Sequence, residues 1–355
     1  MKYFTEETET RDNIQRTAGI KARDDISNIL RDIGYKSLNV NVDNANYATS
    51  NKIKKLANHL YIRKIWKKAL ANLNNGDELI VQFPIINHSL FLTDLFRNLQ
   101  NKKHVKITLL IHDVEIIRSN RKTDMKRSSK LRNKMEELNL MKSCDCIICH
   151  NEKMLNTLID LGLNPNKIEV LEIFDYLIPE SEHSYAHAHF DGNIVIAGNL
   201  KPEKAGYMYK MPENVEVNAY GIGFIDRGKE NIHYFGSFDP NELTGALDGS
   251  FGLVWDGTST KTCEGAYGEY LKINNPHKTS LYIASGLPVV IWSQAALAQF
   301  VLKNNCGIVI DSLNDLHDKL SQMTEEEYNQ ILQSTLETSK KLRNGYFTKT
   351  VVKKI

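Results

Sequence analysis

The residues best suited to chemistry lie where a buried strand gives way to a helix. The apolar run Phe251–Trp255 predicts a parallel strand, a polar loop follows it, and the next predicted helix carries His277 and Lys278 in its first turn. A helix start offers free backbone N–H groups and a positive potential, which suit a diphosphate. We therefore predict a nucleotide-sugar pocket here, with its donor-side candidates Asp256, Asn275, His277 and Lys278.

A second set of donor-binding candidates follows the first two strands of the C-terminal half. Gly198 and Asn199 are small residues at a strand end, where they permit close approach of the backbone to a ligand. Lys201 and Lys204 follow in the same loop and can neutralise phosphate, and the sequence leaves open which of them does so. Tyr220 ends the next strand, where its ring could stack on a uracil base. The Gly-x-Gly beside it is weak evidence, because it lacks the third glycine of a dinucleotide motif.

His112 and Asp113 follow the third strand of the N-terminal half. Such a pair supplies a general base and the carboxylate that orients it, or a carboxylate that is itself the base. The alternative is a helix N-cap at Asp113 with His112 in the core. In the donor half, Asp256, Glu264 and Glu269 are either ligands of sugar hydroxyls or solvated loop carboxylates.

These loops need a scaffold of strands and helices, and the chain alternates between the two patterns. Strand-like runs in the first half are Leu38–Val42, Glu78–Phe83, Val105–Ile111, Cys146–His150 and Lys167–Leu171. Those in the second half are Asn193–Asn199, Val215–Tyr220, Ile232–Gly236, Phe251–Trp255, Leu287–Trp292 and Gly307–Ile310. This alternation predicts an α/β protein with two parallel-sheet domains, each covered by helices on both faces.

Domain boundaries follow from where the periodicity fails. We expect an N-terminal domain over 1–175, a linker over 176–192 and a C-terminal domain over 193–339, with a C-terminal helix at about 340–355 free to cross back onto the first domain. The 355 residues and 41% hydrophobic content are enough for two such cores.

The composition of the chain also indicates where in the cell the protein is expected. The longest apolar runs fall far short of the roughly 20 residues of a membrane-spanning helix. The N-terminus carries Glu6, Glu7 and Glu9 and has no apolar signal segment, so we expect a cytoplasmic protein.

Two clusters of metal-ligating residue types have other interpretations. Cys144, Cys146, Cys149 and His150 contain a haem-attachment pattern, but the alternating segment favours a buried strand in which cysteine acts as a small hydrophobe. His183, His187 and His189 favour an exposed linker, because no carboxylate that would orient metal ligands is evident. We predict no metal site.

The segment from residue 53 to residue 70 predicts a helix that packs on the sheet by one face. Its apolar residues occur near helical spacing, with lysines opposite, and we expect all of them in the core: Ile53, Leu56, Leu60, Ile65, Trp66 and Leu70.

A local excess of positive charge occupies residues 118–134. Eight basic residues there face one acid, Asp124, although the whole chain has a net charge of only +2. The run suits an anionic membrane or a lipid diphosphate, and a solvated helix face is the alternative. Nucleic acid fits less well, because no aromatic residue is interleaved in the run.

Several motifs along nearly the whole chain occur together: Ala18–Asp24, His112–Asp113, Ile173–Leu177, Ala197–Leu200, Gly236–Asp239, and Trp255–Gly257 through Asn274–Ser280. In these motifs the chain resembles the bacterial β-1,6-galactofuranosyltransferases of O-antigen, capsule and exopolysaccharide assembly. More thinly, the chain resembles the glucosyltransferases that extend the glycans of serine-rich adhesins. The resemblance implies a two-domain GT-B fold, with UDP held by Tyr220, Lys278 and either Lys204 or Lys201.

The same resemblance implies an inverting transfer that needs no metal or other cofactor, with Asp113 as the base and His112 as the second choice. The donor would be UDP-galactofuranose or another UDP-hexose, and the acceptor a hexoside that is commonly lipid-linked at the cytoplasmic face of the membrane. Thr17, Lys21 and Arg23 would line the acceptor side, unless they form an ordinary helix start. A UDP-glucose transferase acting on a glycoprotein glycan and a non-catalytic partner of a transferase are the alternatives, and assembly into a homo-oligomer stays open.

Overall fold

The protein is built on two parallel β-sheets of six strands each, joined by residues 171–193. A computed structural model describes residues 1–9, 18–42, 52–86, 89, 91–119, 127–178 and 185–355, with the backbone alone at 8, 9, 18, 19, 52, 119 and 127–134. The described residues contain no helix that is both long enough and apolar enough to cross a bilayer.

The first sheet has the strand order β2-β1-β3-β4-β5-β6. Its strands are β1 (Lys2–Glu9), β2 (Lys36–Val42), β3 (Glu78–Phe83), β4 (Lys106–Ile111), β5 (Cys146–Cys149) and β6 (Ile168–Val170). The helices that cover it are α1 (Ala18–Asp32), α2 (Lys52–Ala69), α3 (Leu92–Lys103), α4 (Glu115–Ser119), α5 (Arg127–Ser143) and α6 (Glu152–Asp160). β3 and β4 are almost continuously buried, as strands of a sheet covered on both faces are.

The second sheet has the order β10-β9-β8-β12-β13-β14, and a two-stranded ribbon of β7 and β11 lies beside it. The strands are β7 (His187–Ala188), β8 (Ile194–Asn199), β9 (Val217–Ile222), β10 (Ile232–Tyr234), β11 (Asp248–Gly249), β12 (Phe251–Val254), β13 (Val289–Trp292) and β14 (Gly307–Ile310). The helices are α7 (Pro202–Ala205), α8 (Pro240–Ala246), α9 (Gly265–Leu271), α10 (His277–Ala284), α11 (Ala298–Lys303), α12 (Leu316–Ser321), α13 (Glu325–Arg343) and α14 (Tyr346–Val352).

The predicted strands all occur, and the sequence missed three strands of the described residues: β1 and the two short strands β7 and β11. Strand β1 runs between β2 and β3, with Tyr3, Phe4 and Thr5 buried. The second half of β1 can carry the acidic residues Glu6 and Glu7, because both approach the edge of the sheet and are only partly buried. That charge hid the strand from a search for apolar runs.

Helix α2 forms as predicted, but half of its predicted core is wrong. Ile53, Leu56 and Leu60 are 79%, 50% and 50% exposed. The face that packs on the protein is made by Ile62 and Trp66, both at 0% exposure. Residues two positions apart on a helix, such as Leu60 and Ile62, lie about 200° apart, so one set must face outward when the other faces the sheet.

The cysteine-rich segment is the buried strand β5, as predicted. Cys144 and Cys149 are buried free thiols, and burial raises the pKa of each to about 12. The interpretation of the histidine cluster is partly wrong, because His189 Nε2 does have a carboxylate partner, Asp248 Oδ1 at 3.1 Å. His183 lies outside the described residues.

The C-terminal helix α14 contacts helix α1 of the first sheet. Asp175 is 2% exposed, and its carboxylate accepts hydrogen bonds from the N–H groups of Phe347 and Thr348 at 3.2 and 2.7 Å. Lys349 pairs with Asp32 on α1. The end of the chain is therefore tied to both the connecting segment and the first half.

Candidate active site

The carboxyl ends of strands from both sheets border one cleft, and side chains meet across it. Tyr270 of α9 donates its hydroxyl hydrogen to Asp113, which follows β4, and accepts a hydrogen bond from the N–H of Val114 at 3.2 Å. Asn151, which follows β5, donates to Asn275 Oδ1 at 2.7 Å. Parallel sheets bind ligands at the carboxyl ends of their strands, so this cleft is the candidate active site.

Lys278 lies in the first turn of α10, with its ammonium group beside the end of β12. Its Nζ donates to the main-chain oxygen of Trp255 at 2.9 Å and to Asp256 Oδ1 at 2.8 Å. The Lys278 and Asp256 side chains are 14% and 7% exposed. Burial lowers the pKa of Lys278, while the Asp256 carboxylate acts in the opposite direction. The pair holds a cation at a helix start, where it can contact a phosphate.

Lys204 is better placed than Lys201 to act together with Lys278. Besides burial, the charge of Lys204 lowers the pKa of Lys278, so the two ammonium groups lie in one region. Lys204 Nζ is 5.5 Å from the centroid of the Tyr267 ring on α9. Lys201 precedes α7 and is exposed. The geometry therefore favours Lys204 as the second cation of the pocket.

The loop that carries these lysines begins where two glycines pack against each other. Gly198 has a φ of 115°, and a Cβ on Gly221 of the neighbouring strand would lie 1.8 Å from the Gly198 oxygen. Asn199 Oδ1 accepts a hydrogen bond from the Lys201 N–H at 3.1 Å, which turns the chain towards α7. Gly198 and Asn199 are themselves exposed, so the end of β8 is open to a ligand.

The structure does not expose the Tyr220 ring for stacking on a nucleobase, so its role in donor binding stays a prediction. The residue is 1% exposed, its ring stacks on Phe235 with centroids 5.1 Å apart, and its hydroxyl accepts a hydrogen bond from the Asp248 N–H at 3.3 Å. Successive side chains of a strand point to opposite faces, and Tyr220 points into the core. Phe235, directly after β10, is 51% exposed and presents an aromatic ring to solvent.

The side chain of Asn275 is hydrogen-bonded within the protein, and its place in the donor site stays a prediction. Its Nδ2 donates to the main-chain oxygens of His150 at 2.9 Å and Glu172 at 3.0 Å. Its Oδ1 accepts from Asn151, and the residue is 4% exposed. Asn275 therefore fastens the start of α10 to the loops after β5 and β6.

His277 packs at the junction of the two halves. Its ring centroid lies 5.2 Å from that of Tyr176 and 6.1 Å from that of Phe174. Burial, together with the charge of Lys21, lowers the pKa of His277 to about 3, so the imidazole is neutral. Its Nε2 is buried and has no hydrogen-bond partner in the part of the chain that the structure describes.

His112 and Asp113 do not form the predicted pair, in which the carboxylate orients the imidazole. His112 Nε2 instead lies 2.7 Å from Gln82 Oε1, and Gln82 is oriented by a 2.9 Å hydrogen bond to Ser27 Oγ. Burial and the charge of Arg23 hold the pKa of His112 well below its usual value. A neutral ring that donates through Nε2 leaves Nδ1 unprotonated, and this buried atom has no partner among the described residues.

Asp113 has a different set of partners. Its Oδ2 accepts from Arg118 Nη1 at 2.7 Å, and its Oδ1 accepts from the Tyr270 hydroxyl and from the Val114 N–H at 3.0 Å. The side chain is 25% exposed, so a substrate hydroxyl can approach the carboxylate. The Arg118 guanidinium lies 5.9 Å from the centroid of Tyr267, the ring that Lys204 also approaches.

Lys21 and Arg23 lie at the start of α1 and contact loops of the cleft. Lys21 Nζ pairs with Asp25, donates to the Leu177 oxygen at 2.6 Å and lies 4.6 Å from the centroid of the Tyr176 ring. Arg23 donates to the main-chain oxygens of Gln82 and Pro84 at the end of β3. Thr17 lies outside the described residues.

The sequence patterns did not select Tyr267 or Tyr270 as site residues, and they did not predict that Arg118 pairs with Asp113. The two tyrosines are three positions apart on α9, in the segment after β12 where site residues were sought. Their spacing was a usable signal, since residues i and i+3 share a helix face. Arg118 was counted in the basic run, but its guanidinium forms ion pairs with Asp113 and Glu115. The remaining residues of that run, 119–134, lie outside the described side chains.

Two family models match the chain. They are the Glucosyltransferase 3-like N-terminal domain, over residues 3–179, and the Glucosyltransferase 3-like C-terminal domain, over residues 194–355.

Two curated proteins are similar over most of their length. The β-1,6-galactofuranosyltransferase WbbI of Escherichia coli K12 is 34% identical over 290 residues, 81% of this chain and 81% of that protein. Glucosyltransferase 3 of Streptococcus gordonii is 26% identical over 296 residues, 80% of each chain.

Solved structures share the architecture at much lower identity. Sucrose-phosphate synthase from Thermosynechococcus elongatus superposes with a TM-score of 0.63 at 10% identity, covering 99% of this chain and 98% of the other. Anabaena HepE, crystallised with UDP and glucose, gives a TM-score of 0.58 at 10% identity, with coverage of 99% and 98%. These matches identify the fold as that of the GT-B glycosyltransferases.

Proposed function

The chain belongs to the glucosyltransferase 3-like family of glycosyltransferases, and from this premise we propose that it transfers galactofuranose from UDP-galactofuranose to a hexoside acceptor. The proposed transfer inverts the anomeric centre, forms a β-1,6 linkage and serves the assembly of a cell-surface polysaccharide. The main support is the 34% identity to WbbI over 81% of the chain, combined with the buried Lys278–Asp256 pair at the start of α10.

In this proposal the donor lies over the start of α10. Lys278 and Lys204 neutralise the diphosphate, and the backbone at Gly198 and Asn199 approaches it closely. As the bond from the anomeric carbon to the diphosphate breaks, negative charge grows on the leaving oxygen, and fixed cations stabilise it without rearrangement. His277 is neutral and flanks the same helix start. Asp256 keeps Lys278 in place and is the proposed acceptor of a hydrogen bond from a sugar hydroxyl.

Asp113 is the proposed base. It accepts the proton of the acceptor hydroxyl while that oxygen attacks the anomeric carbon from the face opposite to UDP. His112 is a poorer candidate because its free Nδ1 is buried, whereas the Asp113 carboxylate is 25% exposed. Asp113 Oδ1 accepts hydrogen bonds from both Tyr270 and Val114, whereas Oδ2 accepts one from Arg118, so the second lone pair of Oδ2 can accept this proton. Lys21 and Arg23 lie on the same side of the cleft, where the acceptor would bind.

We further propose that the reaction needs no metal ion, since the two lysines and the helix start supply positive charge at the diphosphate. A lipid-linked acceptor would place the enzyme in the cytoplasm at the inner face of the membrane. The basic residues of segment 119–134 are candidates for contact with that surface.

A second donor is supported by the relatives named glucosyltransferase 3, which make UDP-glucose the main alternative.

The experiment that separates UDP-galactofuranose from UDP-glucose as the donor is a measurement of donor turnover. Purified protein is incubated with UDP-galactofuranose, UDP-galactopyranose or UDP-glucose and a panel of hexoside acceptors, and UDP release is followed with and without EDTA. Acceptor-dependent release from the furanose donor alone, insensitive to EDTA, is expected. Preference for UDP-glucose contradicts the proposed donor, and UDP binding without any turnover favours a non-catalytic partner.

A further inference from the structure

The outer face of α2 carries three large apolar side chains in water. Ile53, Leu56 and Leu60 are 79%, 50% and 50% exposed, and Tyr61 beside them is 45% exposed. Spacings of three and four residues place the three aliphatic side chains on one face of the helix, opposite the buried Ile62. Scattered exposed apolar residues are ordinary, but a ladder on one helix face indicates a binding surface.

The same helix is strongly basic. Residues 52–69 contain seven lysines and arginines and no acid: Lys52, Lys54, Lys55, Arg63, Lys64, Lys67 and Lys68. Lys64 and Lys67 continue the apolar ladder at the same spacing, and both are exposed, as is Lys68. One face therefore presents aliphatic side chains over its first turns and ammonium groups over its last ones.

The first turns of α2 lie on the cleft side of the first sheet. A helix that follows a parallel strand begins at the carboxyl edge of the sheet, and α2 follows β2. The loop after β3 joins α2 to the acceptor side, because Ser89 Oγ donates to the His59 oxygen at 2.9 Å while Arg23 donates to the oxygen of Pro84. A surface that contacted Ile53 and Leu56 would lie beside the mouth of the cleft.

We propose that the outer face of α2 docks on an anionic membrane surface, with Ile53, Leu56 and Leu60 among the acyl chains and Lys64, Lys67 and Lys68 at the headgroups. An amphipathic helix with a basic flank lies in the plane of the membrane interface in this way. A second copy of the chain fits less well, because two α2 helices would bring fourteen positive charges together, seven from each. The proposal rests on the proposed function in one respect: it places a lipid-linked acceptor at the cleft.

Vesicle flotation of the full-length protein tests this proposal. Binding is measured to vesicles of phosphatidylglycerol and phosphatidylcholine and to vesicles of phosphatidylcholine alone, at low and high NaCl. The apolar variant is Ile53→Ser/Leu56→Ser/Leu60→Ser, and the charge variant is Lys64→Gln/Lys67→Gln/Lys68→Gln. The controls replace exposed residues elsewhere, namely Leu302→Ser and Lys319→Gln/Lys340→Gln/Lys353→Gln. Circular dichroism and thermal unfolding check that each variant is folded.

We expect binding to anionic vesicles that each α2 variant weakens about tenfold or more and that neither control changes. High salt should weaken the binding of the wild type. Turnover of the UDP-sugar with a soluble acceptor should be the same in wild type and α2 variants, so a failed docking surface is distinguishable from a failed function. Unchanged vesicle binding in both α2 variants overturns the proposal. The proposal is also overturned if vesicle binding is lost only in the variant Arg121→Gln/Lys122→Gln/Lys126→Gln/Arg127→Gln. It is likewise overturned if the protein binds no lipid but forms a dimer in light scattering that the α2 variants abolish.

Discussion

At the scale of single residues, the buried Lys278–Asp256 pair is the feature most directly tied to the donor. Removing the ammonium group in Lys278→Ala should raise the Kd for UDP by about 10- to 100-fold, because a hydrogen bond to a charged group contributes about 1.5–3 kcal/mol. Isothermal titration calorimetry with UDP measures this change.

Asp256→Asn is the matched control, since it breaks the same ion pair and keeps the cation. Both variants should lose about 3 kcal/mol of unfolding free energy, because each leaves one member of a largely buried pair without its partner. The Kd for UDP should rise more in Lys278→Ala, which removes the cation, than in Asp256→Asn, which removes only the carboxylate that positions the cation. If Lys278→Ala binds UDP as the wild type does, Lys278 is not a donor-binding residue.

The base is tested by replacing Asp113 with an isosteric amide. Asp113→Asn should lower kcat by about 100-fold or more while the Kd for UDP stays unchanged, because the amide cannot accept the proton of the acceptor hydroxyl. Tyr270→Phe keeps the carboxylate and removes one of its donors, so its kcat should fall by less than about tenfold. A normal kcat in Asp113→Asn together with a large loss in His112→Gln would assign the base to His112 instead.

At the scale of secondary-structure elements, the start of α10 is fixed by the amide of Asn275. Asn275→Ala removes the donor to the main-chain oxygens of His150 and Glu172 and leaves these groups buried without it. We expect the free energy of unfolding to fall by about 2–4 kcal/mol in urea denaturation. The neighbouring Asn274→Ala is the control and should change it by less than about 1 kcal/mol, because Asn274 Oδ1 has no partner among the described residues. Equal losses in both variants would contradict this role of Asn275.

The elements show which parts of the structure are encoded locally. Buried strands such as β3 and β4 are continuous apolar runs, so their position could be read directly from the sequence. The face of α2 could not, because apolar residues occur on both of its sides and only the packed structure selects Ile62 and Trp66 over Leu56 and Leu60. Periodicity gives the period of a helix but not which of two apolar faces is covered.

The candidate site divides in the same way. The loops at the strand ends were predictable, because the order of strand and helix fixes which edge of a sheet they occupy. The direction of a single side chain was not, as the buried ring of Tyr220 and the engaged amide of Asn275 show. The contact of Tyr270 with Asp113 joins residues 157 positions apart, and no local pattern encodes it.

At the scale of the whole molecule, three imidazoles converge on Phe174 where the two halves meet. His112 stacks on this ring at 5.4 Å between centroids, His150 meets its edge at 4.9 Å, and His277 lies 6.1 Å away. Burial lowers the pKa of all three, to about 4 for His150 and about 3 for His277. Lys21 lowers the pKa of His277 further, and Asp113 opposes the shift at His150. The junction is thus built from neutral imidazoles.

These imidazoles should make the protein less stable in acid. An unfolded histidine has a pKa of about 6.5, so the histidines of the unfolded chain become protonated below that pH. The same histidines in the folded junction stay neutral until about pH 4 or lower. The stabilisation is present above about pH 6.5 and is lost as the pH falls towards 4. Buried carboxyls act in the opposite sense. Burial raises the pKa of Asp25 to about 6 and that of Asp175 and Glu137 to about 7, so these groups stabilise the fold as it is acidified.

His277→Phe isolates one imidazole, because the carboxyl contributions are common to both proteins and cancel in the difference. The new ring can still pack against Phe174 and Tyr176 but cannot take up a proton in the unfolded state. The measured quantity is the unfolding free energy of the variant minus that of the wild type. We expect this difference to become more positive by about 2 kcal/mol as the pH is lowered from about 7.5 to 5, because only the wild type loses stability through this histidine. Urea denaturation at each pH measures it. A pH-independent difference for His277→Phe would mean that this imidazole is not held neutral at the junction.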